Sequence, residues 1–495
     1  MQRLRKEIAV MPNILGVTRS TVPRDAPAMK MTHEAHSDVA RRAVSFRGLA
    51  TVYLVFAVLG PWINVGMVRG IRPEEALLPV MAIVYLSGTG FRLRVSRSVR
   101  LVLVGLAAIA ACISLSLLAG IPRSGGGPVA RDTLELVRVA KYAFVMILAG
   151  SDAGTARACR KWFIALIVAV IVIISVQVVA PAQWVFRTMS AIDPSSAHFY
   201  ASQNVAAGLL RATGTFSNPN NCGIFLSASA GLLIGLLSCA STRGKAWLLS
   251  CALIAVAAAV VGTQSFTGLI ALGLVLLVGG MVMLSRRRYR RRALILFIVV
   301  AIAMGTFVGV LGIVGSGVSV VGKRLTTANY ALATMAGRIT VWTRVALDMA
   351  DDPSMLVFGM GPQKESETEV VGGDIDSEYV MILKRYGLVG FFCFGLFVVL
   401  TVAALRSSTL HETAWAQGWY LGALLMLLAI AVNDVTNVVY ANNQLMDIFM
   451  FVLGSVLSSD GGVAEPVSEA RNALLRRNRP RTSASGFSVT EETTS

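Results

Sequence analysis

Three stretches of the sequence carry side chains suited to chemistry at a charged group. The first, Arg211-Ala-Thr-Gly214-Thr215-Phe216-Ser217-Asn218-Pro219-Asn220-Asn221, sets an arginine and a glycine turn directly before an apolar run. Asn220 or Asn221 can cap the helix that follows, whose first N–H groups then point at the same surface as Arg211. The second stretch is Gly337-Arg338-Ile-Thr-Val-Trp342, followed by Asp352-Pro353 and by Gly359-Met-Gly361. The third opens Asp376-Ser377-Glu378-Tyr379, passes through Lys384 and Arg385, and reaches Gly387-Leu-Val-Gly390. A guanidinium holds a phosphate through two parallel hydrogen bonds where an ammonium offers a point charge. A carboxylate within reach of a hydroxyl can take its proton. Each group also has a plainer reading. Arg211 can anchor to lipid headgroups and Arg338 can be a solvated loop arginine. Asp376 and Glu378 can favour a helix N-terminus by charge alone, and Lys384 and Arg385 can snorkel to an interface.

Other chemistries find little support. The six cysteines, at 112, 159, 222, 239, 251 and 393, form no CxxC pair, and all but Cys159 fall within or beside apolar runs. They read as small apolar packers. The histidines at 33, 36, 198 and 411 lack ligand spacing. No metal site and no cofactor is expected.

The elements that must position these groups follow from composition. Of the 495 residues, 55% are hydrophobic and only 15% charged, with a mean hydropathy of +0.67. A soluble domain carries about 25% charge. A soluble enzyme, a disordered chain and a disulfide-stapled module are therefore excluded, and the solvent of most of the chain is lipid. Apolar runs occur near 48–66, 76–91, 101–121, 134–150, 162–182, 220–240, 247–263, 266–284, 293–314, 387–405, 415–432 and 443–457. The expected fold is all-α, a polytopic integral membrane protein of about twelve transmembrane helices. The run at 443–457 is short and contains Asp447, which makes it the weakest of the set.

Orientation follows from basic residues, which collect on the cytoplasmic side. With the N-terminus inside, 30 of the 45 Lys and Arg fall in cytoplasmic segments, 11 in outer loops and four in or against the membrane. Both termini are then expected in the cytoplasm of a cytoplasmic (inner) membrane protein. The net charge of +18 and the run Arg286-Arg287-Arg288-Tyr289-Arg290-Arg291-Arg292 are explained by headgroup anchoring, and no nucleic-acid partner is expected. The expected organisation is a largely disordered segment 1–47, a transmembrane domain 48–457 and a disordered tail 458–495. Two outer segments, 183–219 and 315–377, exceed ordinary connections, and loops of this kind are usually functional. Met335 to Met349 alternates like an amphipathic helix that Asp351-Asp352-Pro353 would end, so the second segment is expected to form a partly helical cap.

Taken together, these residues resemble the O-antigen ligase and polymerase superfamily of bacterial polyprenol-linked glycan enzymes. The resemblance rests on R-x-x-G-T-F-x-N-P-N at 211–220, on R-x-x-x-W followed by G-x-G over 338–361, and on D-S-x-Y-x-x-x-L-x-x-x-G-L-x-G beginning at Asp376. It implies a membrane glycosyltransferase acting on a glycan carried by polyprenyl (undecaprenyl) pyrophosphate, with no metal. It also implies a chain-length regulator and a flippase as partners, besides the lipid bilayer. Ligase members typically have histidine where Asp376 stands, and aspartate is common in the polysaccharide polymerases. The expectation is therefore a polymerase of O-antigen or exopolysaccharide repeat units, with a ligase as the alternative. The implied catalytic residues are Arg211 and Arg338 on the pyrophosphate, with Lys384 or Arg385 in support, and Asp376 as base or orienter of the attacking hydroxyl, with Glu378 as its runner-up. Asn218, Asn220, Trp342, Glu378, Tyr379, Lys384 and Arg385 are the implied substrate contacts.

A transporter or flippase for the same lipid-linked glycan is the rival class, since twelve spans with both ends inside is also a carrier plan. Carriers show internal repeats and midplane charges. No convincing repeat relates the two halves. The charges Glu135, Arg138 and Lys141 sit at i, i+3 and i+6 of the fourth run, where opposite charges can pair along one helix face.

Overall fold

The computed structural model describes residues 33–60, 63–65, 68–89, 95–124, 130–151, 153–192, 211–285, 290–291, 294, 298, 328–361, 377–408, 414–440 and 442–458. The chain divides into two compact units, Met1–Ala43 and Val44–Ser495, and the second holds the helices around the candidate site.

In chain order the elements are α1 (His33–Leu59), the strands β1 (Ile63–Val65) and β2 (Val68–Ile71), α2 (Pro73–Thr89), α3 (Arg97–Ser124), α4 (Ala130–Ala149) and α5 (Ala153–Val179). They continue with α6 (Ala182–Ile192), α7 (Pro219–Ser238), α8 (Arg243–Thr263), α9 (Phe266–Ser285), α10 (Ala328–Asp351) and α11 (Pro353–Phe358). The last three are α12 (Glu378–Ser408), α13 (Ala414–Asn433) and α14 (Asn443–Leu457). The strands pair antiparallel, with Ile63 opposite Ile71 and Val65 opposite Val68. This small hairpin, which hydropathy did not anticipate, leaves the all-α architecture intact.

Eleven of the twelve apolar runs coincide with a helix; the run 293–314 lies almost wholly outside the described residues. Seven described helices are long and apolar enough to cross a membrane: α3, α5, α7, α8, α9, α12 and α13. The protein is a multi-pass membrane protein. Two helices fall outside that set for clear reasons. The 17 residues of α2 are few, and α4 carries Glu135, Arg138 and Lys141. The last helix, α14, has 15 residues, about 22 Å at 1.5 Å per residue, and every one from Gln444 to Leu457 is buried. Its Asp447 is held by the ammonium of Lys141 at 3.0 Å, which explains how a carboxylate sits in an apolar helix.

α7 forms the centre, with its whole apolar stretch covered by protein. Hydrophobic burial cannot drive helix association in lipid, so close packing must do so, and small residues permit it. Gly231 and Gly235 of α7 meet α13 at the main chain: a Cβ on Gly235 would lie 2.3 Å from the Gly422 nitrogen. Around this pair, α8 and α9 flank α7, α12 packs on α3, and α14 packs on α4 and α5.

Outside the bundle, the amphipathic run Met335–Met349 lies within α10, which ends at Asp351. Asp352 caps α11 by accepting from the Ser354 and Met355 nitrogens at 2.9 and 3.2 Å. Val345, Met349 and Met355 form a small separate core with Val380 and Leu383 against it, which docks this cap onto the start of α12. The segment after residue 182 begins as helix α6 rather than as a loop.

Candidate functional site

The Arg211 segment is a buried turn. Gln177, near the end of α5, receives the Thr213 and Gly214 nitrogens at 3.1 and 2.8 Å and donates to the Gly214 carbonyl at 2.9 Å. Thr215 donates to the Val58 carbonyl of α1 at 2.5 Å. Arg211 itself is only 5% exposed. Its Nε donates to the Thr263 carbonyl at 3.2 Å and a terminal nitrogen donates to Asn220 Oδ1 at 3.0 Å. Neither Asn220 nor Asn221 caps α7. Asn218 does, accepting from the Asn221 nitrogen at 2.9 Å with Pro219 in the first turn. Proline fixes the first helical position, so the cap falls one residue before it, and Asn220 is released to orient the guanidinium.

The Asp376 segment is built on a broken helix. Asp376 lies outside the described residues. Ser377, Glu378 and Tyr379 are fastened to the end of α13 and the loop that follows it. The Glu378 nitrogen donates to the Asp434 and Asn437 carbonyls at 2.9 and 3.2 Å. Glu378 Oε2 accepts from the Tyr440 nitrogen at 2.9 Å, and the Tyr379 hydroxyl donates to the Ala431 carbonyl at 2.8 Å. The carboxylate of Glu378 therefore ties two loops together, beyond any favourable charge effect at its own helix start.

Nine residues on, α12 breaks at Gly387, with φ 62° and ψ −162°. Gly359 has φ 76° and ψ 179°. Both conformations belong to a region that essentially only glycine enters. The Gly359–Gly361 turn lies main chain to main chain against the break. Met360 and Gly361 nitrogens donate to the Lys384 and Arg385 carbonyls at 2.8 and 3.1 Å, and Ser116 donates to the Arg385 carbonyl at 2.6 Å. The spaced glycines thus satisfy carbonyls that a broken helix would leave bare.

Lys384 and Arg385 are 4% and 6% exposed, which corrects the snorkelling alternative. Arg385 lies 3.7 Å from Glu135, whose other oxygen is 2.6 Å from Arg138. Glu135 and Arg138 therefore pair along their helix as their spacing suggested, and the pair also reaches α12, whereas Lys141 pairs with Asp447 of α14.

One polar path joins the two motifs. Arg211 contacts Thr263 at the end of α8. The Ser265 nitrogen donates to Thr263 Oγ1 at 3.2 Å, and the Ser265 and Thr267 hydroxyls are 3.4 Å apart. Asn437 donates to Thr267 at 3.0 Å, and its carbonyl receives the Glu378 nitrogen. The Arg211 and Glu378 segments, 167 positions apart in the sequence, thus share one end of the bundle. Arg338 and Trp342 sit half-buried on α10, outside this path.

Sequence reasoning missed the linking residues Gln177, Thr263, Ser265, Thr267, Asp434 and Asn437. The polar run Asn433-Asp434-Val435-Thr436-Asn437 between two apolar helices was the available signal. Asp434 Oδ1 is buried without a hydrogen-bond partner among the described residues. Burial, then the nearby Glu378 carboxylate, raises its pKa well above the ordinary carboxylate value.

Beside this end lies an apolar cavity of about 310 Å³. Gly214, Thr215 and Phe216 of the turn line it together with Val172, Val176 and Trp184.

No curated protein matches the sequence. Residues 251–395 match the model of a family described as O-antigen ligase. The matched stretch runs from α8 through the 263–267 turn and the Arg338 helix to the α12 break, and leaves the Arg211 segment outside. Over these residues, fewer than a third of the chain, the protein is similar to the O-antigen ligase family.

Proposed function

We propose that the protein polymerises polyprenyl-pyrophosphate-linked oligosaccharide repeat units on the outer face of the cytoplasmic membrane, with both termini inside. The observation that carries this reading is the polar path from Arg211 to the Glu378 segment. It sets a guanidinium and a carboxylate-bearing segment at one end of the bundle, beside a cavity apolar enough for an isoprenoid tail.

In this reading a sugar hydroxyl of one repeat unit attacks the anomeric carbon of another lipid-linked glycan. The bond from that carbon to the phosphate oxygen breaks, and polyprenyl pyrophosphate leaves. The hydroxyl proton passes to Asp376. Arg211 and Arg338 bind the pyrophosphate and stabilise the charge it gains on leaving, with Lys384 or Arg385 in support. Asn218, Asn220, Trp342 and Tyr379 line the approach. Glu378 positions this segment through Tyr440, which leaves the base role to Asp376. Cationic side chains take the place of a divalent ion.

The ligase alternative is favoured by the description of the matching family; aspartate at 376 favours the polymerase. Purified protein given a lipid-linked repeat unit should build a ladder without nucleotide, ion gradient or added metal. Transfer of one glycan to a non-polyprenol acceptor would establish the ligase instead. A glycan left covalently unchanged would indicate a flippase, and loss of the ladder in EDTA would overturn the metal-free scheme. A chain-length regulator and a flippase are the proposed partners, the first acting on ladder length and the second on supply.

A further inference from the structure

A basic pocket lies far from this site. Gln177 of α5 holds the Thr213–Gly214 turn, whereas Arg157 lies twenty residues earlier on the same helix. At 1.5 Å per residue that is about 30 Å, the thickness of the hydrocarbon core. At this far end Arg47 of α1 joins Arg157 and Lys161 of α5 around a cavity of about 370 Å³. Gly154, Ala158 and Trp162 complete its lining. Small-ligand sites begin at about 300 Å³.

Three features separate this cavity from ordinary headgroup anchoring. Its cations come from two helices more than a hundred positions apart, so the tertiary fold brings like charges together. Among the described residues no carboxylate pairs with Arg47, Arg157 or Lys161. By contrast, Arg160 on the next position is already engaged over the Trp419 ring at 5.6 Å. Arg157 Nε also donates to the Ala153 carbonyl at 3.1 Å, which fixes the exposed guanidinium against its own helix beside the cavity. Converging cations without a counter-charge raise the energy of the fold unless an anion completes the cluster. Trp162, 49% exposed, adds an indole at the rim. Indoles favour the level of lipid headgroups, which points to an amphiphile over a free ion.

We infer that this pocket binds the phosphate of an anionic phospholipid headgroup, with Arg47, Arg157 and Lys161 on the phosphate and Trp162 against the glycerol region. The reading is independent of the reaction at the opposite end. Basic pockets between membrane helices take anionic headgroups in this way.

The test is lipid binding by the full chain in detergent, followed by native mass spectrometry and thermal shift. Phosphatidylglycerol, phosphatidylcholine and inorganic phosphate serve as separate probes. Wild type should retain phosphatidylglycerol and gain thermal stability from it, with phosphatidylcholine inert. Arg157→Gln/Lys161→Gln should weaken that binding at least tenfold. Arg243→Gln/Lys245→Gln removes equal charge outside the pocket and should bind like wild type. All three side chains are exposed, so folding is not at risk, and the melting point without lipid verifies this. Equal loss in both double variants, or none in either, would overturn the site. A shift given equally by inorganic phosphate would overturn the lipid assignment in favour of a free anion.

Discussion

Replacing Gly359 with alanine tests whether the glycine turn holds the broken helix together. A Cβ at Gly359 would stand 2.3 Å from the Arg385 carbonyl carbon and oxygen and 2.4 Å from the Tyr386 nitrogen. Ordinary contact begins at 3.4 Å, so the two main chains must part by roughly 1 Å. At that separation the Met360–Lys384 and Gly361–Arg385 hydrogen bonds, now 2.8 and 3.1 Å, exceed bonding range. Each contributes about 1 kcal/mol net, and more when the abandoned partner stays buried. The backbone conformation of Gly359 adds about 1–3 kcal/mol for any residue with a side chain. The total is about 3–6 kcal/mol, against a typical stability of about 5–15 kcal/mol. Thermal unfolding in detergent and glycan ladder formation should both suffer, because Lys384 and Arg385 lose their fixed place. Gly337→Ala is the control. Nothing lies within 4 Å of its added methyl, and inside α10 alanine should gain up to about 1 kcal/mol. A Gly359→Ala protein that melts and reacts like wild type would refute the reasoning.

Arg211→Lys keeps the charge but loses the planar fork that spans Thr263 and Asn220, so ladder formation should fall strongly, and Arg211→Ala should lose about 3 kcal/mol of transition-state stabilisation, near a hundredfold in rate. Unchanged turnover in Arg211→Ala would remove it from the site. Asp434 binds its proton more tightly when folded. Its contribution is therefore full below the ordinary carboxylate range and is lost as pH rises through the raised value. Asp434→Asn should flatten that part of the pH–stability curve, and parallel curves would count against it. Glu135→Ala removes the carboxylate shared by Arg138 and Arg385, at about 3–5 kcal/mol; Glu135→Asp should recover part of it, and a melting point equal to wild type in Glu135→Ala would contradict the pairing.

Hydropathy alone made the membrane architecture legible, because each spanning helix must be apolar over about 20 residues wherever it sits. That is why eleven runs read from sequence coincide with helices. The same rule does not say how α4 and α14 carry charges, which are held in the bundle where Lys141 meets Asp447 and Arg385 approaches Glu135. The motifs were legible as local patterns: the Asn-Pro start of α7, the Asp-Pro start of α11 and the spaced glycines are properties of a few adjacent residues. What those patterns are for was decided by tertiary structure. Gly359 matters through Arg385, Asn220 through Arg211, and Glu378 through Tyr440. Each partner lies on another segment of the chain, and no spacing rule encodes a contact between them. The path from Arg211 through Thr263 and Thr267 to Asn437 was invisible for the same reason: threonine, serine and asparagine become a connected site only where folding removes them from water and leaves each other as partners.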